Sequence, residues 1–190
     1  MSRKKLIALI MCMILCMTAF YGCAGKDSGQ GAEGQQNTEA NQNTEAKQTD
    51  YDIKTVKCIY NYGDQDKAEM DVFSSDKSVK SYIVNSYSDS GIDLFSGEIP
   101  SDNNVNCDIE EITLTDEEWN NIVNAVKDSN FMDLPDELPK VKANDGSTCY
   151  IEIETTTGTY RSGGYCAGNG SGKEHERFYS VKSVLYGLIR

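Results

Sequence analysis

The chain has 190 residues, with 18 Lys and Arg against 30 Asp and Glu and a net charge of −12. An acidic excess of that size disfavours nucleic acid and anionic lipid headgroups as partners, and it also keeps a protein soluble. One histidine and the absence of any Cys-x-x-Cys spacing argue against a zinc site, and no motif calls for a cofactor.

In chain order, the first segment is basic and then apolar. Arg3, Lys4 and Lys5 precede a run from Leu6 to Phe20, and Gly22-Cys23 follows. The run has 15 residues, the length of a signal h-region and short of the roughly 20 that a membrane span needs. The positive charges would hold the N-terminus on the cytoplasmic side. This arrangement resembles the signal peptide of bacterial lipoproteins, in which a small residue precedes a lipid-accepting cysteine. Phe20 and Tyr21 stand where that family favours Leu and a small residue. The resemblance implies a signal peptide over residues 1–22 and a diacylglyceryl group on Cys23. It also implies residence on the extracytoplasmic face of the cell membrane, held by fatty acyl chains. Two chains hold firmly where one binds marginally, at about 0.8 kcal/mol per buried CH₂. Cleavage after Ala24 by an ordinary signal peptidase, or an uncleaved anchor from Leu6 to Ala24, would also suit the residues.

Residues 24–50 contain almost no apolar side chain larger than Ala, and Gln36-Asn37-Thr38-Glu39-Ala40 recurs as Gln42-Asn43-Thr44-Glu45-Ala46. Such a composition buries too little surface to offset the entropy of ordering, so residues 23–50 are expected to be a lipidated cysteine and a disordered linker. A flexible chain of that length spans about 30 Å.

Residues 51–190 are expected to form a single α+β domain. β-branched and aromatic residues over Ile53 to Tyr62 predict a strand, and Gly63-Asp64 a turn. Ala68 to Phe73 and Lys80 to Tyr87 predict a second and third strand. Ser86 to Asn106 is rich in Ser, Asp, Gly and Asn and predicts a long irregular loop. Cys107 to Leu114 is a short strand-like lead into a helix. Thr115 and Glu118 predict its capping box, and Trp119, Ile122, Val123 and Val126 form one apolar stripe. Pro135 and Pro139 enforce extended chain after it. Tyr150 to Glu154 alternates, Thr157-Gly158 can turn, and Thr159 to Cys166 returns as a hairpin. A final helix over about Lys173 to Leu188 buries Phe178, Val181, Val184, Leu185 and Leu188. The order ββ(β)αββα predicts an antiparallel sheet with two amphipathic helices on one face.

Four cysteines fall in this domain: Cys58, Cys107, Cys149 and Cys166. Outside the cytoplasm an even number suggests two disulfides. A two-residue hairpin turn would set Cys149 opposite Cys166, leaving Cys58 to Cys107; four reduced thiols are the alternative. His175 sits in the first turn of a helix, commonly a solvated position, and no third residue orients it toward Cys166 for catalysis. Ala167 to Lys173 resembles the phosphate-binding loop of nucleotide hydrolases, but Glu174 stands where that family needs Ser or Thr. Asp102, Asn104, Asn106, Asp108 and Glu110 fit alternate positions of a calcium loop, without its glycine and its bidentate glutamate. No catalytic constellation emerges from the scattered carboxylates. The expectation is a lipid-anchored extracytoplasmic protein with a small acidic binding or interaction domain. Its partner would be an envelope protein or a small ligand. An envelope-associated hydrolase and a structural spacer are the alternatives.

Overall fold

The computed structural model describes residues 51–189. In chain order, Ile53–Asn61 forms β1, Lys67–Ser74 β2, Ser78–Asn85 β3 and Asp108–Thr113 β4. Asp116–Asp128 forms α1, Thr148–Thr155 β5, Thr159–Tyr165 β6 and Lys173–Ile189 α2. The fold is α+β: one six-stranded sheet, ordered β4-β3-β2-β1-β5-β6, with every neighbouring pair antiparallel. The order along the chain is thus ββββαββα. The stretch before the first helix is a full strand, because Asp108 to Thr113 pairs residue by residue with Ser78 to Ile83. Among the described residues no helix is long and apolar enough to cross a membrane.

Period-two alternation sends neighbouring side chains to opposite faces of the sheet. Val56, Cys58, Phe73, Val79, Cys149, Ile151 and Ile153 join Ile122 and Val126 of α1 and Phe178, Val181 and Leu185 of α2 in one cluster. Ile59, Ala68, Met70, Val72, Tyr82 and Val84 form a second cluster on the other face. There the loop between β3 and β4 supplies the cover, through Ile92, Leu94 and Phe95. Leu94 is fully buried, so this loop is a working part of the core. A fully buried side chain of this size contributes roughly 1.5–3 kcal/mol, which is how an irregular segment can be held down.

The helix ends follow local chemistry. Thr115 Oγ1 accepts the Glu118 N–H at 3.2 Å, and the Glu118 carboxylate accepts the Thr115 N–H at 2.7 Å, completing the expected capping box. Beyond α1, Asn130 takes a left-handed conformation, and the turn Phe131–Asp133 drives Phe131 into the core against Phe178. Arg177 locks that turn by donating to the carbonyls of Ser129 and Asn130.

The β5–β6 hairpin differs in register from the two-residue turn expected. Glu154 faces Thr159, residues 156–158 connect the strands, and Cys149 faces Gly164 instead of Cys166. The cause is the Thr155 hydroxyl, whose oxygen accepts the N–H groups of both Thr157 and Gly158 at 3.1 Å. That side chain shapes the turn, while the Thr155 N–H donates to Gly158 O at 2.9 Å across it. Cys166 then falls beyond the strand end, with φ at 55°, and its N–H donates to Ser147 O at 2.8 Å.

Candidate functional site

One group of reactive side chains lies on the helix-facing side of the sheet. Cys58 of β1 is paired with Asp71 of β2, which is paired with Ser81 of β3. The three therefore form a row across the strands, beneath the helices. Asp71 is 3% exposed, and Ser81 Oγ donates to its carboxylate at 2.5 Å. A buried acid needs such a donor, because stripping it of hydrogen bonds costs several kcal/mol. Cys58 Sγ lies 4.0 Å from Cys149 Sγ, with both residues 1% exposed. Their hydrogen bond, burial and the nearby Asp71 charge push the Cys58 thiol well above its ordinary pKa, against a small opposing pull from Lys182. A nucleophilic cysteine requires the reverse, a lowered pKa and access to substrate. The row is a satisfied polar inlay in the core and holds Cys58 as a neutral thiol.

Lys182 of α2 closes one end of this region. Its ammonium sits 5.5 Å from the Tyr60 ring and 5.6 Å from the Tyr186 ring, and it donates to Ala167 O at 3.3 Å. Tyr60 in turn shares a 2.5 Å hydrogen bond with Ser147. These contacts tie α2 to the β1 end and to the loops flanking the β5–β6 hairpin.

His175 is 1% exposed, contrary to the solvated position expected for the first turn of a helix. Its Nδ1 accepts the N–H groups of Gly168 at 3.2 Å and Gly170 at 3.3 Å. Nε2 lies 2.9 Å from the Pro139 carbonyl, which can only accept, so the ring proton sits on Nε2. The glycine loop thus wraps the imidazole. A Cβ on Gly170 would lie 2.5 Å from the His175 ring, which explains the glycine. The backbone N–H groups that a phosphate-binding loop would aim at a nucleotide are consumed here by a histidine. His175 is a clamp on the loop and not one half of a thiol–imidazole couple.

On the opposite face a charged group fastens the β3–β4 loop. Lys57 Nζ, on a side chain 14% exposed, bonds Glu152 at 2.8 Å and donates to Gly97 O at 2.7 Å. Arg161 lies 3.8 Å from the other Glu152 oxygen and stacks over the Tyr150 ring at 4.4 Å. The Tyr150 hydroxyl donates to Glu137, and burial followed by that carboxylate pushes its pKa up to about 12. Tyr150 is therefore a hydrogen-bond donor throughout the physiological range.

The other residues singled out by the sequence are dispersed. Cys23 lies outside the described residues. Cys58, Cys107, Cys149 and Cys166 are free thiols. Cys107 packs against the outer-face cluster while Cys58 belongs to the helix-side cluster, so the two lie on opposite faces of the sheet. The shifted hairpin register corrects the facing of Cys149 and Cys166. The calcium-loop residues do not converge: Asp102 binds Lys80 at 3.1 Å, Asn104 accepts the Asn106 N–H at 3.0 Å, and Asp108 accepts from Asn85 at 3.2 Å. The Cys58–Asp71–Ser81 row escaped sequence reading because each member sits alone in its strand. Its one trace was the acid at Asp71 between two apolar residues. The chain matches no protein-family model, and no curated protein is significantly similar to it.

Proposed function

We propose that the protein is a lipid-anchored extracytoplasmic module whose acidic domain binds a partner in the cell envelope. The observation that carries this reading is the order of the first 23 residues: three basic residues, an uncharged apolar run, and Gly22-Cys23. That order presents Cys23 for a diacylglyceryl group, which supplies two acyl chains and a durable hold on the membrane. The first strand begins only at Ile53, which leaves a long polar segment between the lipid and the domain. Within this proposal the two helices cover one face of the sheet and leave its charged rim to the surroundings. The side chains with catalytic potential support a binding role by their engagement: Cys58 is held neutral, and His175 is spent on its loop.

The test is the intact mass of the protein extracted from host membranes after alkylation of free thiols. A mass that begins at Cys23 and carries acyl groups supports the anchor. A lipid-free mass beginning at Gly25, or one that retains Met1, refutes it.

A further inference from the structure

We propose that the outer edge of β4 is a docking site for an extended cationic polypeptide segment, which adds to the sheet as a seventh strand. This rests on reading the domain as an interaction module, and it names the surface and the chemistry of the partner.

The two edges of the sheet are treated differently. At β6, Leu138 N–H donates to Gly163 O at 2.8 Å, and Glu137 bridges Gly163 in parallel, so the segment after Pro135 covers that edge. At β4 nothing comparable occurs among the described residues. Leu114 N–H donates to Lys77 O at 2.8 Å, which makes that facing pair a hydrogen-bonded one. Pairs alternate along an antiparallel ladder. Ile112 with Val79, and Glu110 with Ser81, are then the hydrogen-bonded pairs that follow. Ile109, Glu111 and Thr113 therefore turn their N–H and C=O groups away from β3. Among the described residues no backbone bond reaches those groups. A row of unpaired backbone groups is a template for another strand.

Charge selects the occupant. Between Lys80 and Lys127 the chain holds ten Asp and Glu and no Lys, Arg or His. Asp108, Glu110 and Glu111 lie on the strand itself, and Asp116, Glu117 and Glu118 follow in the first turn of α1. Lys80 binds Glu111 at 3.0 Å, whereas Asp108 and Glu110 have no ion pair among the described residues. Asp108, Glu110 and Ile112 share the helix-side face of the strand, and Ile112 is 44% exposed. A second copy of β4 would bring like charges opposite one another, which is destabilising. A strand with Lys or Arg at alternate positions would satisfy the backbone and give the Asp108 and Glu110 carboxylates cationic partners.

The experiment uses the full chain and an eight-residue alternating Lys-Thr peptide, with the same peptide N-methylated at alternate residues as its control. Amide exchange and chemical shifts are read by NMR. The expected result is saturable binding in which the amides of Ile109, Glu111 and Thr113 exchange at least about tenfold more slowly. The N-methylated peptide should not bind. Glu111→Pro removes one outward N–H and leaves the β3 ladder intact, since proline is tolerated on such an edge; it should abolish the protection with the fold preserved by circular dichroism. Glu110→Lys should weaken binding by about tenfold. Equal binding of the N-methylated peptide, or undiminished binding to Glu111→Pro, would overturn the proposal by showing charge attraction alone. Saturable protection of another element would overturn it too. The lipid anchor is judged separately by mass, so failure here with Cys23 acylated removes the β4 edge and not the anchored module.

Discussion

Replacing His175 tests how the glycine loop is held. The imidazole makes three hydrogen bonds from a position 1% exposed: two accepted at Nδ1 and one donated from Nε2. Each net bond is worth about 1 kcal/mol, and truncation also leaves a void beneath α2. His175→Ala should therefore cost about 3–4 kcal/mol. His175→Asn places an amide oxygen near the Nδ1 position and keeps the two glycine donors while losing Pro139, for about 1 kcal/mol. His175→Gln keeps the reach to Pro139 and abandons both glycine N–H groups, for about 2 kcal/mol. Urea unfolding followed by the fluorescence of Trp119, the single tryptophan, which packs against the core, reports all three. An alanine variant within about 0.5 kcal/mol of wild type, or a glutamine variant more stable than the asparagine one, would refute the assignment of the bonds.

Three further outcomes are expected. Native alkylation should label Cys107 and spare Cys58, Cys149 and Cys166, which are buried. The rate should climb beyond the ordinary thiol pKa, because burial and then the Asp108 charge raise that of Cys107. After unfolding in urea all four of these should react, and a peptide mass lacking alkyl groups at two of them would reveal a bridge. Ser81→Ala should cost about 2 kcal/mol by withdrawing the hydroxyl from the buried Asp71 carboxyl. A cost no larger in wild type than in an Asp71→Asn background would deny that coupling. The Glu118 carboxyl is held below its usual pKa by the N–H and hydroxyl of Thr115. The group lowered in the folded state adds stability above its unfolded pKa, and that stability is lost as pH falls through the folded value. Thr115→Ala should therefore lower the urea midpoint at neutral pH, and the gap should narrow in acid below the usual carboxylate range. A gap that is independent of pH would refute it.

Helices were the most legible elements because their signals are local. The capping box at Thr115 and Glu118, and the stripe containing Ile122 and Val126, depend only on neighbours three and four residues away. In α2, Phe178, Val181 and Leu185 are buried as their spacing predicts, while Val184 and Leu188 of the same expected face are half-buried. The hairpin register was less legible, since it turned on whether the Thr155 hydroxyl would take the loop N–H groups. β4 was legible only as a short strand-like lead into the helix: five of its six residues are exposed, so no alternation marks it, and pairing with β3 makes it a full strand. The polar row of Cys58, Asp71 and Ser81 depends on the stacking of three strands, and His175 on a loop that closes over it. Both are long-range facts, and a window of neighbouring residues contains neither.

The place of β1 has a mechanical consequence. The N-terminal strand of the domain is central in the sheet, bonded to β2 on one side and β5 on the other. A pull transmitted along the chain from before Tyr51 enters the domain through this strand. It must break two ladders together, where an edge strand would unzip from a single neighbour one rung at a time. The grip of β5 on β1 joins residues about a hundred positions apart, a non-local pairing of the kind that slows folding. A domain fastened by its amino-terminal side to a moving surface would carry load on an interior strand, with the β4 edge three strands away from it.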